Sequence, residues 1–275
     1  MTESASPRPL MAGKRGLILG VANEKSIAWG IASAVAAHGA ELAFTYQNEA
    51  MKKRVEPLAA SVGSNLIMPC DVSDMASLDA AIETVRARWD RLDFAVHAVA
   101  FSDKAELKGR YADTSRANFL NTLDISCFSF TALCQRVAPM MTDGGSLLTL
   151  TYLGAERSTP NYNVMGVAKA ALEASVRYLA ADLGPDSIRV NALSAGPMRT
   201  LAGSAIADAR YTFRYSENAA PLKRNVSLEE VGGSALYLLS ELAHGVTGEV
   251  MHVDGGVHSI AIPRPQPNNG PMTEE

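Results

Sequence analysis

The chain has 275 residues, 47% of them hydrophobic and 20% charged, and its 25 Lys and Arg against 29 Asp and Glu give a formal charge of −4. At about 150 residues per domain this length predicts one or two domains, and the apolar content excludes a disordered chain. A mildly acidic chain lacks the basic footprint of a nucleic-acid binder. The three cysteines, Cys70, Cys127 and Cys134, show no Cys-x-x-Cys spacing and have no histidine cluster beside them. Neither a disulfide framework nor a metal site is expected, and reduced thiols point to a cytoplasmic location. The start has no signal-peptide apolar region, and nowhere does an apolar run of about 18 residues occur that could span a bilayer.

Residues 1–13 are short and unpatterned and are expected to form a loose arm. Strands are predicted at residues 15–20 (RGLILG), 41–46 (ELAFTY) and 65–70 (NLIMPC), with a helix over 27–38 after the first and a charged helix over 75–89 after the third. The run 94–101 (FAVHAVAF) reads as a further strand. Within it His97, mid-strand among apolar neighbours, reads as a core or interface side chain. Residues 119–133, containing Cys127, read with Cys134 as a packed helix at a subunit interface. A strand at 146–151, a helix from about 161 to 183, a strand at 188–194, a helix at 228–239 and a strand at 249–253 complete the pattern. The proline-rich end, residues 263–275, is expected to be a disordered tail. Strand and helix alternate over the whole of 14–262. This predicts one α/β domain: a doubly wound parallel sheet with helices on both faces and ligands beyond the carboxyl ends of the strands.

The first predicted strand runs into Gly20, and Ser26 stands where the following helix begins. A glycine turn opening a helix lets backbone N–H groups meet a pyrophosphate, and a Ser at the N-cap offers its hydroxyl to a phosphate oxygen. The usual G-x-G-x-x-G is absent, since only Gly20 and Gly30 stand in the segment, and a capped helix after a strand is the plainer reading. Gln47 ends the second strand, where a dinucleotide site usually carries an acidic residue for the ribose. A neutral Gln offers no cation to a 2′-phosphate, which favours NADH over NADPH. Asp71 and Val72 follow the third strand, where a carboxylate could accept from the adenine amino group.

Further along, Tyr152 follows a strand, and Pro160 precedes a helix bearing Tyr162 and Lys169. Seven residues at about 100° each nearly complete two turns, so Tyr162, Met165, Gly166 and Lys169 share a stripe. Alone, that stripe is more often an amphipathic helix with a buried ring and a solvated ammonium. It also sets a phenol beside a cation, which suits stabilisation of negative charge on oxygen.

With these motifs together, the chain resembles the short-chain dehydrogenase/reductase superfamily, and within it the bacterial NADH-dependent enoyl-[acyl-carrier-protein] reductases. The resemblance covers roughly residues 12–260. It is carried by residues 20–27, 44–48 (FTYQN), 70–72, 152–157, 160–169 (PNYNVMGVAK), 189–201 and 248–256. Tyr-x6-Lys is the specific element. Superfamily members that reduce ketones use Tyr-x3-Lys, and four residues after Tyr162 stands Gly166. A longer spacing suits hydride delivery to a carbon two atoms from the one bearing oxygen. Seven positions rise about 10 Å along a helix against about 6 Å for four.

The resemblance implies a Rossmann-type fold and an NADH cofactor. It places Gly20, Ser26 and Ile27 at the pyrophosphate and ribose, Gln47 on the adenosine side, Asp71 and Val72 at the adenine and Val99 along the cofactor. Lys169 would hold the nicotinamide ribose, and Met198, Arg199, Thr200, Leu201 and Ala202 would form the loop beside it. Catalysis would rest on Tyr162, which stabilises the enolate, with Tyr152 and Lys169. Substrate would meet Ser102, Tyr152, Tyr162, Met165 and Ile206 under a lid near residues 198–215, whose Arg210 and Arg214 would face an acidic acyl carrier protein. No metal, nucleic acid or membrane partner is implied, and a homotetramer is, with strand 249–253 at a contact. Two other functions fit less well: a reductase of ketones or enoyl-CoA, and a silent NAD-binding regulator, which would have no need of Tyr152, Tyr162 and Lys169 together. Ala100 stands where many relatives have Gly, so an Ala100→Gly variant is expected to bind flat diphenyl-ether inhibitors more tightly, as read from inhibition curves.

Overall fold

A computed structural model describes residues 9–204 and 209–263. Its elements run β1 (Arg15–Leu19), α1 (Ile27–Ala37), β2 (Glu41–Tyr46), α2 (Glu49–Ser61), β3 (Leu66–Pro69), α3 (Met75–Arg88), β4 (Phe94–His97), α4 (Arg116–Leu123) and α5 (Ser129–Val137). Then follow β5 (Gly145–Thr151), α6 (Asn163–Leu183), β6 (Ile188–Ala195), α7 (Leu201–Ser204), α8 (Ala209–Ala219), α9 (Leu228–Leu239) and β7 (Val250–Val253). Among the described residues, seven strands form one parallel sheet in the order β3-β2-β1-β4-β5-β6-β7. Gly16 of β1 stands opposite Leu42 on one side and Phe94 on the other. The strand order reverses between β1 and β4, which opens a crevice at their carboxyl ends.

Helices bury both faces, so the central strands read as unbroken apolar runs rather than alternating ones. One face packs Leu17, Leu19 and Leu147 against Leu78 of α3, Phe130 of α5 and Leu172 and Val176 of α6. The other packs Ile18, Phe44 and Leu148 against Ile31 of α1, Val55 of α2 and Val231 of α9.

Several boundaries differ from the sequence reading. The segment from Pro9 is folded: Met11 is 1% exposed, fills the core beneath α1 and donates its N–H to the His38 carbonyl. A single apolar residue in an unpatterned stretch leaves no periodic signal. The rest of the expected arm, residues 1–8, and the tail from 264 on lie outside the described residues. β4 stops at His97, and residues 98–103 carry no regular structure. The helix expected over 119–133 is two helices joined by a π turn at Asp124–Phe128. Cys134 is wholly buried in the chain's own core rather than facing outward, with half-buried Cys127 packed against that core. Helix α2, capped by Asn48 accepting from the Met51 N–H at 3.0 Å, and helix α8 had no counterpart in the sequence reading.

Candidate active site

Gly20 closes β1 with φ +98°, and a Cβ there would stand 2.1 Å from the Ala98 carbonyl oxygen. Only a residue without a side chain lets this turn pass so near the end of β4. Ser26 is the N-cap residue of α1, but its side chain does not cap the helix. The hydroxyl instead donates to the Asn23 carbonyl at 2.5 Å and accepts from the Ala22 N–H at 3.3 Å. The expected cap is thus corrected to a brace of the turn; Ile27 begins the helix beside it. At the ends of β2 and β3, the Gln47 amide donates to the Asp71 carboxylate at 3.3 Å. The Ser73 hydroxyl, bonded at 2.7 Å, is the main reason that carboxyl sits below its ordinary range. Val72 is buried and Val99 packs half-buried on the core. Past β6, the Thr200 hydroxyl oxygen accepts from the Gly203 N–H at 2.8 Å, Met198 packs on the core and Leu201 is exposed. The Arg199 guanidinium lies 4.7 Å from the Phe213 ring centroid, tying this loop to α8. The Ala202 backbone lies in α7, and Ile206 lies outside the described residues.

Lys169 settles the ambiguity of the stripe: it is 5% exposed, not solvated. Its Nζ donates to the Leu150 carbonyl at 2.7 Å, and among the described residues no second acceptor holds it. An ammonium has three hydrogens, so two remain for a ligand. Burial lowers its pKa to about 8, with the nearby Cys127 and Glu173 opposing that fall. Glu173, one turn later on the same buried face, accepts from the Thr151 hydroxyl at 2.6 Å. The two free N–H groups of Lys169 fit the hydroxyls of a ribose, and the Gly20 turn, which admits no side chain, fits a pyrophosphate.

Tyr162 stands at the N-cap of α6, one residue before the helix proper. Asn161 and Asn163 on either side adopt φ of +57° and +35°, a left-handed backbone that Asn tolerates better than most residues. The Tyr162 ring packs edge-on to Tyr152, centroids 5.1 Å apart at 68°. Around it stand Leu107, Val164 and Met165. Burial, then Tyr152, then Glu173 push the Tyr162 phenol far above its ordinary value, while burial and then Asp254 raise that of Tyr152. Both hydroxyls are therefore proton donors at any physiological pH. Ser102 is buried and bonded to Asn118 and Thr122, the Thr122 hydroxyl donating to it at 2.9 Å. His97 is a core residue, its ring nitrogens 3.2 Å from Thr149 Oγ1 and 2.7 Å from Ser129 Oγ. Burial pushes it down to about 3, so it stays neutral.

Gly154, and the close approach of Gly166 to it, make room for this pair and were not foreseen from the sequence. A Cβ on Gly154 would stand 2.4 Å from the Tyr162 ring, and one on Gly166 would stand 2.7 Å from the Gly154 carbonyl oxygen. The sequence reading also missed Asn163, whose amide donates to the carbonyls of Glu106 and Gly109 at 3.4 and 3.3 Å. The Asn-Tyr-Asn run was the available signal. Among the described residues no cluster of His, Cys, Asp and Glu could hold a metal, and no helix is long and apolar enough to cross a membrane.

A family model described as enoyl-(acyl carrier protein) reductase matches residues 20–258. The chain is 62% identical over 254 residues to an NADH-type enoyl-[acyl-carrier-protein] reductase of Rhizobium meliloti, covering 92% of this chain and 95% of that one. The crystal structure of the Anaplasma phagocytophilum reductase in complex with NAD superposes with a TM-score of 0.91 at 58% identity, over 95% of this chain and all of that one. That of FabI from Candidatus Liberibacter asiaticus gives 0.91 at 54%, over 93% and 99%. Tyr152, Tyr162 and Lys169 all lie within the residues so matched. The chain belongs to the enoyl-[acyl-carrier-protein] reductase family.

Proposed function

We propose that this chain reduces the carbon–carbon double bond of trans-2-enoyl thioesters carried on acyl carrier protein, using NADH, as the last step of fatty-acid elongation. The observation that carries this reading is the buried Tyr162 phenol set two helical turns from the buried Lys169 ammonium, with no side chain at position 166 between them. Bound NADH supplies the hydride, which goes to the β carbon of the enoyl group. As charge then gathers on the thioester oxygen, Tyr162 donates a hydrogen bond to it, an oxyanion contact strengthened by the dry surroundings. Lys169 holds the nicotinamide ribose hydroxyls, Gly20, Ser26 and Ile27 meet the pyrophosphate and ribose, and Met198, Arg199, Thr200, Leu201 and Ala202 line the nicotinamide side. Val99 lies along the cofactor, and Gln47, Asp71 and Val72 hold the adenosine. The charge on Asp71 opposes a 2′-phosphate, so NADPH is expected to serve at least about tenfold less well in kcat/KM. Tyr152, Ser102 and Met165 border the acyl chain.

Loss of NADH absorbance with crotonyl carrier protein or crotonyl-CoA tests the reaction; no turnover with either would overturn it. A ketone substrate is disfavoured by Gly166, where a four-residue spacing would need its lysine. A further check lies in pH. Below about 8 Lys169 is an ammonium, and above it the charge is lost, so NADH affinity is expected to weaken as pH rises through 8. Lys169→Met should weaken NADH binding by about 10–100-fold and flatten that dependence, as measured by fluorescence titration.

We assign a homotetramer in the cytoplasm. Exposed Leu120, Phe128 and Tyr178 on packed neighbouring segments, and half-exposed Val250, Met251 and Val253 on edge strand β7, support self-association. Three free cysteines suit a reducing compartment. Among the described residues, 198–204 and 209–215 would form the lid, with Arg210 and Arg214 one turn apart and exposed on α8.

A further inference from the structure

The loop between β4 and α4 carries Lys104, Lys108 and Arg110, all exposed. Among the described residues no carboxylate pairs with any of the three. The intervening carboxylates are turned back into the loop. Asp103 accepts from the Ala105 N–H at 2.8 Å, and Glu106 accepts from the N–H and hydroxyl of Ser115, both at 2.8 Å. The loop is also sutured to the site. Leu107, 5% exposed, packs with Tyr162, and Asn163 bonds the Glu106 and Gly109 carbonyls. Leu153, next to Tyr152 in the chain, packs against Ala219 and Ala220 at the end of α8. An acyl chain that reaches Tyr162 therefore passes beside a cation-bearing loop that is tied to the site by Leu107 and Asn163.

We propose that Lys104, Lys108 and Arg110 form a docking surface for the acidic face of the acyl carrier protein, in addition to Arg210 and Arg214 of α8. This rests on the carrier-bound substrate assigned above. Charges at an interface rim act on encounter and on salt dependence more than on chemistry. The three side chains touch neither Tyr162 nor Lys169, so the chemical step should not feel their loss.

The test is the triple variant Lys104→Ala/Lys108→Ala/Arg110→Ala, assayed with crotonyl carrier protein, crotonyl-CoA and the crotonyl thioester of N-acetylcysteamine. With the carrier substrate, kcat/KM is expected to fall about tenfold at low salt, with the change in KM and not kcat. The wild-type advantage should shrink between roughly 50 and 300 mM salt. The two small thioesters should be reduced as by wild type. Undiminished carrier activity, or an equal loss on all three substrates, would overturn the proposal. So would a loss shared by the carrier and CoA substrates alone, since that would mark recognition of a phosphate. Binding of labelled, unacylated carrier protein, which needs no turnover, is expected to weaken in parallel. If the wild type bound the carrier yet reduced no thioester, the assigned reaction would fail while the docking surface stood.

Discussion

Tyr162→Phe is expected to lower kcat by about 10²–10³-fold, the usual effect of removing one donor from an oxyanion site. The phenyl ring keeps the apolar packing against Leu107, Val164 and Met165 and the edge contact with Tyr152, so the fold and NADH binding should be unchanged. Fluorescence titration with NADH and thermal unfolding separate this loss from a structural one. Tyr152→Phe should cost much less, since Tyr152 is only half-buried and sits beside the donor rather than in its place. The pH profile gives a second check. Burial keeps the Tyr162 phenol protonated well beyond its ordinary range, so no decline between pH 6 and 9 should trace to its ionisation. A decline near 8 belongs to Lys169 and should be absent from Lys169→Met. A Tyr162→Phe enzyme with full kcat would remove the phenol from the reaction.

Gly154→Ala, a change of one methyl, is expected to be nearly as damaging. The new Cβ would meet Cδ1 and Cε1 of Tyr162 at 2.4 and 2.7 Å. The ring cannot retreat freely, because Leu107 and Met165 pack behind it and its backbone is held between two left-handed asparagines. Overpacking of this kind costs about 1–3 kcal/mol, and displacing a donor by an ångström costs about a hundredfold in rate. Thermal unfolding should show the first and turnover the second. A Gly154→Ala enzyme of normal stability and rate would mean that the ring moves aside without consequence.

The strands were legible because parallel strands buried on both faces spell continuous apolar runs, as at 17–19 and 147–150, and the bounds of α9 match the sequence reading, with Ser227 and Glu230 forming a capping box at its start. The tyrosine and lysine were legible from their spacing, yet the burial of Lys169 was not, since a stripe gives a direction and not a depth. Contacts between distant segments left no trace either: Asp71 drawing Gln47 across from β2, Gly154 meeting Gly166, or Asn163 reaching back to the loop before α4. The π turn at Asp124–Phe128 breaks a helix without a Gly or Pro to mark it. Ser26 looked like a cap by composition, but the Asn23 carbonyl competes for its hydroxyl.

The contact between Gly166 and the Gly154 carbonyl also bears on ancestry. Installing a lysine at position 166, to recover the four-residue pattern of carbonyl reductases, would drive its Cβ into a main-chain oxygen. That replacement alone therefore does not fit this scaffold as it stands. The turn after β5 would have to be rebuilt in the same step, so the two spacings are separated by a valley that drift at position 166 alone does not cross.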